Sequence, residues 1–168
     1  MTRRADTERT ALYAAELVAF DGTDLESRLG QDAIAGRMRA VVTGEWWPGP
    51  RVDIRRARAD ALASSTRCCV EAGTGTLVVI RLADEQTTVA TAAHELAHAL
   101  AGVAAGHGPE FRAAYLDVVA VITNLDSTDR RRGLHVEQLL DALEASGLEV
   151  GGRRWPSPPV EGVGPIAL

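Results

Sequence analysis

The stretch HELAHALAGVAAGHGPEF, residues 94–111, holds His94, His98 and His107, three of the four histidines in the chain. Residues four apart on a helix share a face, so His94 and His98 can aim imidazole nitrogens at one ion, at roughly 2.0–2.1 Å for zinc. Two ligands are too few for a stable zinc site, and the third must come from where the chain turns back. Gly106 reads as the end of this helix and His107 follows it, which makes His107 the nearest candidate in sequence and leaves a fourth position for water. Glu95 neighbours a ligand without sharing its direction. That suits a carboxylate that takes a proton from water whose pKa zinc lowers towards ~7, and later returns it to a leaving amine.

Such residues need a rigid helix and a neighbouring support. Thr88 to Ala104 reads as the helix, with Thr87 or Thr88 as N-cap and Leu96, Leu100 and Val103 on one face. Before it, RVDIRRAR alternates like a half-buried strand, and RCCVEA and TLVVIRLA form a hairpin turned by Gly73-Thr74-Gly75. Helices are expected near residues 7–19 and 31–43, separated from the strands by EWWPGP. Two more follow the site, one beginning at Pro109 and one from His135 to Gly147. Helices, then a small and mostly antiparallel sheet, then helices, make an α+β fold. The chain divides into one domain over 1–149 and a Pro/Gly-rich tail over 150–168, expected to be extended or disordered. Trp155, Ile166 and Leu168 make that tail a candidate cover for the cleft.

Composition narrows the function classes. The chain is 168 residues, 46% hydrophobic, with a formal net charge of −5, which fits an ordinary globular domain and offers no clear nucleic-acid-binding region. Arg51–Arg58 and Arg130–Arg132 are local basic clusters, the latter read as a solvated loop. No signal peptide and no membrane-spanning stretch are read, so a cytoplasmic location is expected. Adjacent Cys68 and Cys69 would make a strained disulfide, and alternation on a strand should turn one of them to the core. Trp46 and Trp47 are read as packing residues and His135 as a surface or capping residue. Tyr115 and Arg112 are candidate substrate or oxyanion contacts.

HELAH followed by GHGPEF resembles the SprT-like (Spartan-type) zinc metallopeptidases, in which an HExxH helix precedes a His-Gly-x-x-aromatic segment. The chain is also similar in size and pattern to small metallohydrolases of actinobacteria and their phages. The resemblance implies a zincin fold, one Zn2+ held by His94, His98 and His107, a catalytic Glu95, and Phe111 at the aromatic position. It also implies a peptide or protein substrate that pairs in extended form with a sheet edge. Two other readings use the same residues: a zinc-stabilised binding module without catalysis, with Glu110 or His135 as a fourth ligand, and a hydrolase of non-peptide amides or esters.

Overall fold

The structure is a computed structural model that describes residues 3–71, 73, 75–125 and 133–159, with the backbone alone for 3–7 and 71. Among the described residues, five α-helices and three strands follow in the order α1 (Arg3–Phe20), α2 (Gln31–Val42), β1 (Arg51–Arg56), β2 (Ser65–Glu71), β3 (Gly75–Leu82), α3 (Val89–Ala101), α4 (Pro109–Thr123) and α5 (Leu134–Ala145). The architecture is α+β, as the alternation of patterns implied. Arg130–Arg132, Ile166 and Leu168 lie outside the described residues.

The sheet is mixed and not mostly antiparallel. Its order is β1-β3-β2, with β2 antiparallel and β1 parallel to β3. β3 takes the centre because it is the most continuously apolar strand, with Val78, Val79, Ile80 and Leu82 all buried. Cross-strand partners share a face, and the register aligns Ile54 of β1 and Thr66 of β2 with Ile80. Ile54 and Ile80 both belong to the core, so Thr66 is delivered to the same side, towards the helices. A slip of one residue would turn Thr66 away. The outer half of β2 stands clear of the body: Cys68 and Cys69 are both exposed, contrary to the expectation that one is buried. An edge strand running past the end of the helical layer has no core on either face.

α3 is covered on nearly all sides. Ala90, Ala92, Ala93, Ala97, Ala99 and Ala101 are buried together with His94 and Glu95. Alanine has the best helix propensity and the smallest side chain, so α4 and the sheet can approach α3 closely without breaking it. Thr88 caps α3, its hydroxyl accepting from the Thr91 N–H at 3.1 Å. The helix stops three residues earlier than the sequence suggested, at Ala101, because Gly102 already adopts φ 91°. A 3-10 turn over Val103–Ala105 and a second reversal at Gly106, φ 56°, then bring His107 back. Both backbone conformations favour glycine.

The first half of the tail is irregular in path but held against α4. Arg153 donates to both carboxylate oxygens of Asp117 at 2.7 and 2.9 Å, and the Trp155 indole donates to Asp117 at 2.8 Å. Arg154 pairs with Glu110, and Gly151 N–H donates to the Pro109 carbonyl at 2.9 Å. Trp46 donates to the Pro156 carbonyl, and Trp47 packs on the core, so both act as packing residues. Among the described residues no helix is long and apolar enough to cross a membrane.

Gly102→Ala is expected to lower the unfolding free energy by roughly 1–3 kcal/mol in urea denaturation, because alanine resists this backbone conformation. Zinc affinity should fall with it, since Gly102 begins the return that carries His107.

Candidate metal centre

Two elements supply the imidazoles and a third orients them. His94 and His98 project from α3 one turn apart, and His107 arrives from the loop before α4. Their ligating atoms all lie within 4.8 Å of one another. His94 Nε2 and His107 Nε2 are 3.3 Å apart. Two nitrogens bound tetrahedrally at 2.0–2.1 Å to one ion stand about 3.3–3.4 Å apart, so this pair already has the required separation. The donor set therefore fits a metal ion. Phe111, wholly buried, lies beneath the rings with centroids 4.4 Å from His98 and 5.1 Å from His94 and His107.

Orientation comes from α1. His94 Nδ1–H donates to Glu16 Oε1 at 2.6 Å, which leaves Nε2 to face the cluster. Second partners of this kind hold the tautomer and ring angle of ligating histidines. The Tyr115 hydroxyl donates to the Ala90 carbonyl at 3.4 Å; burial, then the nearby Glu16 carboxylate, pushes the phenol well above its ordinary value. Sequence reading missed Glu16, although it left a trace. Glu16 falls on the stripe of Leu12, Ala15 and Ala19, all buried, and an acid on a buried helix face needs a partner.

Glu95 is itself buried, and the Thr66 hydroxyl donates to its carboxylate at 2.5 Å. Burial raises the Glu95 pKa, opposed by the Thr66 bond and by His94, while Glu16 raises it further. Thr66 also lies 3.1 Å from the Glu95 backbone carbonyl. The hydroxyl can thus donate to an ionised Glu95, or donate to the carbonyl while accepting from a protonated one. No local motif marks Thr66; only the strand register brings it here.

The other expected residues are placed as follows. Arg112 is 2% exposed and donates to the carbonyls of His107 at 2.8 Å and Glu149 at 2.6 Å, so it fastens the ligand loop to the chain after α5. Tyr115 is 1% exposed beneath His94, its ring 5.6 Å away. His135 is not a surface residue: it is buried beside Phe20 and lies 3.3 Å from Asp24. The packing of α5 on α1 encloses it. Neither His135 nor Glu110 is among the three clustered donors.

The imidazoles differ in charge. Burial, aided by His94 and His107, lowers His98 to about 3. Burial, with His94, Arg9 and Arg112, lowers His107 to about 4. Burial also works against charge on His94, but the Glu16 bond and charge outweigh it and its pKa is raised above 6.5. Near neutral pH, therefore, His98 and His107 are neutral donors, and His94 is the imidazole of the three on which charge is favoured.

Zinc titration by calorimetry at pH 6.5, in buffers of different ionisation enthalpy, is expected to show proton release from His94 and an affinity that rises with pH. Glu16→Ala should weaken zinc binding roughly 10–100-fold in chelator competition. Compared with known proteins, the chain matches no family model and shows no significant similarity to a curated protein or a solved structure.

Proposed function

We propose that this chain is a zinc-dependent hydrolase acting on peptide bonds, with His94, His98 and His107 as ligands and Glu95 as the general base. The observation that carries this reading is the convergence of three imidazoles next to a buried carboxylate on the same helix. Zinc prefers such nitrogen donors and would polarise both water and carbonyl when bound. A closed structural site needs a fourth protein ligand. The two candidates for it are committed elsewhere, Glu110 to Arg154 and His135 to Asp24, which favours catalysis over a zinc-held binding module.

Glu95 accepts the proton of the attacking water at its carboxylate. Its raised pKa lets it hold that proton, with Thr66 rearranging to accept from it, and then deliver it to the leaving nitrogen as the C–N bond breaks. A peptide substrate is favoured over a small amide or ester by the sheet. β2 is an edge strand, and its residue Thr66 touches Glu95. A segment added along the free edge of β2 would run directly past the base, with backbone hydrogen bonds giving affinity.

Glu95→Gln is expected to keep one zinc per chain and the wild-type melting temperature, and to lose roughly 10²–10⁴-fold in turnover of a cleaved peptide. Metal analysis, thermal melts and peptide-library cleavage read the three quantities. Full activity in this variant would remove Glu95 from the mechanism.

A further inference from the structure

α1 contributes a second polar side chain to the site, one that the mechanism above does not use. Tyr13 lies three residues before Glu16, on the adjoining part of the same helix face. Its ring centroid is 5.8 Å from that of His94 and 5.7 Å from that of His107, the latter edge-on at 69°. Glu16, Tyr115 and Phe111 hold the cluster from within the core, whereas Tyr13 is 47% exposed. It therefore stands at the solvent side of the ligands, where a substrate must enter. No hydrogen bond of that hydroxyl is found among the described contacts, in contrast to Tyr115 and Arg112, whose donors are taken up inside the protein.

We propose that Tyr13 donates a hydrogen bond to the oxyanion that forms when the substrate carbonyl is attacked, and is thus a catalytic residue of this site. The inference rests on the hydrolase reading. As the water oxygen bonds to the carbonyl carbon, the π pair moves onto the carbonyl oxygen and the water proton passes to Glu95. Tyr13 keeps its proton throughout and shares it with the negative oxygen, then relaxes as the carbonyl re-forms and the amine leaves with the proton from Glu95. Phenols are protonated at neutral pH and donate well to anionic oxygens. Of the two donors first considered, Arg112 and Tyr115 are both buried, and Thr66 is engaged with Glu95.

Tyr13→Phe keeps the ring against His94 and His107 and removes only the hydroxyl. Zinc affinity by chelator competition is expected to stay within about 2-fold of wild type, and KM for the best-cleaved library peptide to change little. The kcat should fall roughly 10²–10³-fold, the cost of one lost oxyanion donor. Binding of a phosphinic analogue of that peptide should weaken by a comparable factor, while binding of the substrate peptide to a Glu95→Gln, Tyr13→Phe double variant should match that to Glu95→Gln alone. Undiminished kcat and phosphinic affinity in Tyr13→Phe, with Glu95→Gln inactive, would overturn the role of Tyr13 and leave the hydrolase reading standing. A zinc-loaded wild type that cleaves nothing in the library would overturn both.

Discussion

The structure turns on the hydrogen bond between Glu16 and His94, because it joins the first helix to the metal-binding helix at the one point where ring angle matters. A ligating imidazole must present a lone pair and not an N–H. Occupying Nδ1 decides which nitrogen that is. The bond also bears on the uneven charge of the trio: a carboxylate partner favours a proton on His94, while burial, and after it the charge of His94, disfavours charge on His98 and His107. Three imidazoles are thereby kept close in a buried pocket, two of them neutral and the third facing Glu16.

Holding four polar side chains inside a small domain demands close packing around them. The alanines of α3 meet this demand. They let α4 and the sheet close on the helix, so that Phe111 can lie beneath three rings and Thr66 can reach Glu95. Arg112 and the two glycines solve the remaining problem, the return of the chain. Gly102 and Gly106 reverse it, and Arg112 clamps the His107 carbonyl from below. Burial of a guanidinium is tolerable because its donors find carbonyls.

The parts that were legible in the sequence are those whose partners are near in the chain. His94, Glu95 and His98 follow from helix period, and His107 from a glycine stop, although Gly102 and not Gly106 ends the helix. The strands and helices likewise follow from local period and turn residues. What depended on distant pairing was hidden. The parallel contact of β1 with β3 is non-local, so a hairpin pattern suggested too antiparallel a sheet. Thr66 acquires its role from register alone. His135 reads as a surface residue because nothing local reveals that α5 covers it with Phe20. Glu16 lies between these cases, since an acid in an apolar stripe signals a partner without naming it.

Everything proposed for this site depends on its coordination, which X-ray absorption at the zinc edge of the loaded protein reads directly. Three imidazole nitrogens and one oxygen at roughly 2.0–2.1 Å are expected, unchanged in a variant lacking Cys68 and Cys69. Sulfur scattering near 2.3 Å, or a shell of four protein ligands, would contradict it.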